Sequence, residues 1–232
     1  MKNIAKDRLL RTRRTLRAVA TVVFIGLASC GRDITAPASV TTDPGVDYSF
    51  ARPGISNIKA AGYDFVGRYL TSFAAKRIDA VEVSQMKANG LALVLVFEDT
   101  TDQALNGYNQ GVADAKEAQE QANAIGFPGD RPVYFAVDFD ATAAQQDSID
   151  QYLRGAASII GANRVGVYGG YYVVQRCLNN GTATWAWQTK AWSGGLIDSR
   201  IQIYQKGIQT AFNGEADVDE PRQTDFGQWI MK

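Results

Sequence analysis

The sequence predicts an α/β fold, a TIM-type (β/α)₈-like barrel of five βα units followed by three strands with reduced helices. Three observations carry this. From Gly45 onward, short apolar runs alternate with capped, helix-length segments, the pattern of repeating βα units and a parallel sheet. The run from Pro132 to Asp140 is almost wholly apolar until it ends in Asp138 and Asp140, as a strand covered on both faces does. Polar or aromatic residues stand at the end of every proposed strand, and a barrel gathers those ends around one mouth.

The 232-residue chain is 46% hydrophobic, enough for one sizeable core. It contains no histidine, which excludes Ser-His-Asp and Cys-His catalysis and imidazole zinc sites. Residues 1–30 carry seven basic residues against Asp7 alone; the remainder, with 17 basic and 23 acidic residues, is net acidic. That balance argues against nucleic-acid binding.

In chain order, residues 1–30 read as an export signal: a basic start, then the short apolar run Ala18 to Ala28, too short to span a bilayer comfortably. Leu27-Ala28-Ser29-Cys30 looks like a lipobox, with Cys30 as the lipidated residue, and Thr12 to Arg17 resembles a twin-arginine export motif. Residues 31–44, rich in Ser, Thr, Ala and Pro, read as a flexible tether. The barrel domain then occupies 45–232.

The first strand is Gly45–Ser49, followed by a short helix over 55–61 that Gly62 stops. The second strand is Asp64–Leu70. The next helix, 79–89, opens with Asp79 and Glu82 at capping-box spacing and closes at Gly90. Leu91–Phe97 is a fully apolar third strand, and a long helix lies within 102–125 before Gly126. The strand 132–138 follows. Its helix starts at Thr142 and Gln145, a second capping-box spacing, and ends before Gly161. Arg164–Tyr168 is the fifth strand and 171–178 a short helix. Thr184–Gln188, Arg200–Gln205 and Ala216–Asp219 complete the strands, without good helices between them. No Gly-rich phosphate fingerprint follows the first strand, which lowers the doubly wound nucleotide-binding alternative.

The strand ends supply the candidate site. Asp47 and Tyr48 end the first strand, Arg68 the second, Glu98 the third, and Asp138 and Asp140 the fourth. Tyr168, then Trp187 and Gln188, then Gln205, then Asp217 and Asp219 end the rest. Asp138 and Asp140, two apart, are expected on one strand face, roughly 6–7 Å from each other. Arg68 is also read as an ion-pair partner that orients an Asp. Aromatics with amides and acids suit a carbohydrate, and glycosidic cleavage uses two carboxyl groups, one protonated and one ionised. Crowded carboxylates raise one pKa and leave the neighbour charged. The same oxygens suit Mg²⁺ or Ca²⁺, which keeps a metal-dependent phosphoesterase as a third reading.

Five stretches, Gly45–Ser49, Val66–Tyr69, Tyr134–Asp140, Gly166–Tyr171 and Asp217–Asp219, resemble the glycoside-hydrolase-like domain family once catalogued as a domain of unknown function. That family is similar to glycoside hydrolase family 25, the lysozymes that cut peptidoglycan. The resemblance implies a barrel with five βα units and three further strands. It also implies catalytic roles for Asp47, Asp138, Asp140 and Asp219, with Asp140 standing where the lysozymes have their Glu general acid. Tyr48, Arg68, Glu98, Tyr168, Trp187, Gln188, Gln205 and Asp217 make up the expected substrate-binding set. The expectation is therefore a glycoside hydrolase-like lipoprotein acting on cell-envelope glycan, peptidoglycan first. It would be monomeric, lipid-anchored through Cys30 and without cofactor or resident metal. The alternative is a catalytically inactive glycan-binding lipoprotein that uses the same acidic cleft. Aspartate at 140, one methylene shorter than glutamate, favours that alternative.

Overall fold

The computed structural model describes residues 43–232. Cys30, the export signal and nearly all of the tether lie outside them. Eight strands form a closed barrel in sequence order: β1 (Gly45–Asp47), β2 (Phe65–Leu70), β3 (Ala92–Phe97), β4 (Val133–Ala136), β5 (Val165–Gly169), β6 (Trp185–Thr189), β7 (Ile203–Ala211) and β8 (Ala216–Pro221). Helices α1 (Ile55–Ala60), α2 (Ala80–Ala88), α3 (Gly107–Ala124), α4 (Gln146–Ile160) and α5 (Tyr171–Asn179) follow the first five strands. No α-helix follows β6 or β7. Five βα units and three further strands is the architecture expected.

Strand alternation divides the core into two shells. In β3, Val94 and Val96 face inward with Phe65, Tyr134, Trp187 and Ile203, and Phe226 joins them. Leu93, Leu95 and Phe97 face outward onto the helices, so a strand buried on both faces has no polar position to spare. The C-terminal segment contributes to this closure. Trp229 exchanges backbone hydrogen bonds with Leu93 (3.1 and 2.8 Å), and Phe226 packs 4.7 Å from Phe65. α3 and α4 cross closely at Gly111 and Gly155, where an added Cβ would sit 1.9 Å from the Tyr152 carbonyl and 2.1 Å from the Tyr108 carbonyl.

Three features differ from the sequence reading. β8 runs antiparallel to both β7 and β1, so Asp217 lies at its amino end rather than its carboxyl end. β7 extends to Ala211, and only a short 3₁₀ turn joins it to β8; a link that short makes a hairpin, not a crossover. β4 stops at Ala136, so Asp138 and Asp140 sit in the following loop, and the two-apart, same-face strand geometry does not apply to them. The Thr142–Gln145 capping box forms as expected. At α2 only half of the other forms. Asp79 accepts from the Glu82 amide at 2.8 Å, while the Glu82 side chain turns to Arg68 and Tyr48.

Candidate active site

The mouth is built from strand register. Asp47 at the end of β1 pairs directly with Asp217 of β8, and Gly45 pairs with Asp219. Opposed residues of an antiparallel pair share a face, so all three carboxylates face the barrel interior, with Asp219 one step deeper. Gly67 leaves the space Asp47 needs. A Cβ at Gly67 would lie 2.9 Å from Asp47 Cβ and 2.4 Å from the Trp187 ring.

Asp219 is fully buried. Its Oδ1 accepts from Trp187 Nε1 at 2.9 Å, and its Oδ2 has no other donor within reach. Burial pushes the Asp219 carboxyl well above the usual range, and the adjacent Asp47 charge adds to the push. Both influences favour the protonated form of Asp219, beside Asp47. Asp47 is raised as well, first by burial and then by the charge of Asp217, while Gln205, Asp219 and Tyr69 oppose the shift by donating to it. Two carboxyls this close do not ionise independently, so both shifts run upward and the pair titrates together.

Gln205 fixes this arrangement. Its Nε2 donates to Asp47 Oδ2 (2.8 Å) and Asp217 Oδ2 (3.1 Å). Its Oε1 accepts from the Tyr168 hydroxyl (2.9 Å) and the Thr189 hydroxyl (2.6 Å). Tyr69 donates to Asp47 Oδ1 at 3.2 Å.

Asp138 is half-buried in the loop after β4. Burial, then the Glu98 charge, then Asp217 push its carboxyl up to about 6, against the opposing pull of Lys76. Lys76 is itself held by Glu98, 3.2 Å from its carboxylate, and lies 4.2 Å over the Tyr69 ring.

Two lobes open at the mouth and share Tyr69 and Asp217. One, of about 270 Å³, is lined by Asp47, Tyr48, Ser49, Gln209 and Glu215. The other, of about 260 Å³, is lined by Glu98, Asp138, Tyr168, Gln205, Trp192 and Ile208. The structure thus brings together Asp47, Tyr48, Glu98, Asp138, Tyr168, Gln205 and Asp217 along two adjoining lobes, with Asp219 beneath them.

Other expected site residues fall elsewhere. Asp140 is exposed and lines neither lobe. Arg68 is fully buried on the outer face of β2 and binds Glu82 rather than an Asp (2.9 Å); it touches no substrate. Trp187 is 1% exposed and stands edge-on to Tyr134 and Tyr168 inside the barrel, so it is no sugar platform. Gln188 is fully buried. Its amide binds Ser193 Oγ and the Leu196 carbonyl and accepts from the Asp198 amide, so it pins a loop. Gln205 and Tyr48 border the lobes, but their polar groups are already engaged within the protein. Sequence reasoning missed Lys76, the one cation beside Asp138, because no periodicity marks the β2–α2 loop. Among the described residues, no group of three or more acidic or cysteine side chains is arranged to hold a metal ion.

A family profile described as Rv2525c-like, glycoside hydrolase-like domain matches residues 56–223. The Mycobacterium tuberculosis protein Rv2525c, which carries a provisional assignment as a peptidoglycan hydrolase, is 28% identical over 229 residues, 91% of this chain and 95% of its own. The crystal structure of that Tat-secreted protein with L-tartrate superposes with a TM-score of 0.77 at 27% identity, covering 82% of this chain and all of the other. A muramidase from Trichobolus zukalii shares the fold, with a TM-score of 0.55 at 17% identity over 78% of this chain and 94% of its own. The chain belongs to the Rv2525c-like glycoside hydrolase-like domain family.

Proposed function

We propose that this protein is a glycoside hydrolase of the cell envelope that cleaves peptidoglycan by carboxylate acid/base chemistry. The observation that carries the reading is Asp138, a cleft carboxyl pushed up to about 6, facing the same mouth as the jointly titrating Asp47–Asp219 pair. Two carboxyl environments held at different protonation are what glycosidic cleavage needs. Rv2525c's assignment and export, and the muramidase fold, lie in the same direction.

In this reading Asp138, not Asp140, donates the proton to the leaving oxygen. Asp47, held by Gln205 and Tyr69 and backed by protonated Asp219, faces the developing positive charge. Asp217, shared by both lobes, positions the ring or activates water. The amino-terminal segment carries the chain across the membrane, and Cys30 holds it there by a lipid, with residues 31–44 as spacer. The folded domain acts as a monomer.

The second reading, a catalytically inactive glycan binder, is favoured by the exposed position of Asp140, where the lysozymes place their acid. Reducing-end release from purified peptidoglycan separates the two. Asp138→Asn is expected to lose about 10²–10⁴-fold in kcat, the usual range for a general acid, while Asp140→Asn and Asp140→Glu stay near wild type. Equal loss in Asp140→Asn returns the donor role to Asp140. Saturable binding to peptidoglycan with no release by the wild-type protein leaves the binding module.

A further inference from the structure

Four tryptophans are present in the chain, and only Trp192 reaches a lobe of the mouth. Trp187 is buried under the acid pair, Trp185 borders a separate hollow with Gln202 and Asp225, and Trp229 is tied to β3. Trp192 is 38% exposed, a large share for so apolar a side chain, and it walls the lobe that contains Asp138 and Tyr168. Its backbone is left-handed, with φ 54°, a region that bulky residues rarely occupy. Strain of this kind persists where the surroundings over-determine it and gathers at ligand clamps.

The surroundings here do over-determine it. Ser193, 1% exposed, donates to the Thr189 carbonyl at 2.6 Å and accepts from the Tyr171 amide at 3.0 Å. Gln188 grips the same loop from beneath. The Lys190 amide donates to the Gln205 carbonyl at 2.9 Å, which ties the loop to the residue that orients Asp47. On the other side Gly170 permits close approach: a Cβ there would stand 3.0 Å from Trp192 Cβ. The backbone that carries the indole is thus fixed by these contacts, and its apolar neighbour on the lobe wall, Ile208, is itself 44% exposed.

We infer that Trp192 is the stacking platform that positions a hexosamine ring of the glycan beside Asp138. This rests on the glycan reading above and deepens it. β-linked hexosamine rings present flat C–H faces, which pack on an indole, while their hydroxyl and amide edges turn to Tyr168, Asp138 and Asp217. The neighbouring lobe, with Ser49, Gln209 and Glu215, has no comparably exposed ring of its own: Tyr48 is 3% exposed, and Tyr69 is shared by both lobes. The loop's rigidity makes Trp192 a positioning residue whose loss weakens binding without unfolding the barrel.

The test uses the full chain and soluble peptidoglycan strands freed of stem peptides, with Kd, thermal midpoint and tryptophan emission measured for wild type, Trp192→Ala, Trp192→Phe and Trp192→Gly. Trp192→Ala and Trp192→Gly are expected to weaken binding about tenfold, the equivalent of one well-placed aromatic contact. Trp192→Phe should stay within about threefold. Strand binding should shift the emission of wild type and leave that of Trp192→Phe unchanged. Trp192→Gly should melt no lower than wild type, because glycine accepts the left-handed backbone. Wild-type binding that Trp192→Ala matches overturns the inference and leaves the glycan reading intact. So does a Trp192→Gly midpoint several degrees below wild type, which would mark a packing residue. A wild-type protein that neither binds nor cleaves the strands overturns the glycan reading, and the platform falls with it.

Discussion

Two buried charge clusters lie on opposite faces of the same strands, and they are balanced differently. On the outer face, Arg68 gives Glu82 a two-pronged contact (2.9 and 3.2 Å) and donates to the carbonyls of Tyr48 (2.5 Å) and Lys76 (3.1 Å). The Tyr48 hydroxyl completes Glu82 at 2.6 Å, and the guanidinium lies 4.4 Å over the Tyr48 ring. Every charge there has an opposite within reach. At the mouth the carboxyls are not balanced in this way: among the described residues Lys76, already engaged by Glu98, offsets Asp138, and no cation offsets Asp47, Asp217 or Asp219. The carboxyls answer by keeping their protons to higher pH than usual: Asp47, Asp138, Asp217 and Asp219 are all raised. A balanced cluster can be explained by folding alone. An unbalanced one costs stability, and such imbalance is where chemistry concentrates.

The sharpest way to break the comparison is to unbalance the outer cluster. Glu82→Ala leaves the Arg68 guanidinium buried without its counter-ion. The expected loss is roughly 3–5 kcal/mol, the range for removing one partner of a buried pair, and so a large part of a typical domain's stability. Denaturant unfolding measures it. The rate constants of the protein that remains folded should be near wild type, since Glu82 reaches neither Asp47 nor Asp138. A Glu82→Ala protein of full stability but without activity would show that the outer cluster is functional.

This contrast between the two faces also marks how far the sequence could be read. The barrel was legible because its strands are apolar at nearly every position, as in Leu91–Phe97, and because glycines such as Gly90 and Gly126 close the helices. β7 and β8 were harder. Lys206, Gly207, Gln209 and Thr210 read as a loop, yet they continue the strand as an exposed hairpin arm, so the direction of β8 was hidden. The strand-end rule named Asp47, Asp138 and Asp217, which line the mouth, and Asp219, which lies buried beneath it. It misplaced Arg68, whose face follows from parity: Gly67 and Tyr69 point in, so Arg68 points out. It also misplaced Trp187 and Gln188, because being near the end of a strand says nothing about what lies above. The loop above them carries Trp192, whose exposure depends on the left-handed turn that no pattern in the sequence announces.

A smaller effect sharpens the inner half of the comparison. If Asp138 is unbalanced, it must destabilise the fold when ionised. Its ordinary value is 3.8 and its folded value about 6, so the folded state prefers the protonated form. The contribution is fully favourable below about pH 4 and is lost as the pH rises through 6. Asp138→Asn removes the charge and with it the loss. The variant should match wild type near pH 3.5 and exceed it above pH 6.5. The full two-unit shift would correspond to about 3 kcal/mol; solvent reaching the half-buried carboxyl reduces this to about 1–2 kcal/mol. Urea titrations at the two pH values read the difference directly. Identical stability curves at both would mean that the carboxyl is solvated and unstrained, and the contrast with Glu82 would lose its basis.

The smallest expected effect concerns Lys76. Its ammonium is the one influence near Asp138 that favours the ionised form, and it is buried against Tyr69. Lys76→Met keeps the stem and removes the charge, leaving Glu98 unpaired beside Asp138. Both consequences raise the Asp138 pKa further, modestly because Glu98 already offsets the lysine. A general acid works only while protonated, so the alkaline fall in kcat/KM, expected from about pH 6 in wild type, should move to higher pH in the variant. The direction distinguishes two roles for the lysine. A lysine that binds substrate would raise KM when removed and leave the fall where it was. A lysine that tunes the acid moves the fall upward, because the inner cluster has then lost the little positive charge it had.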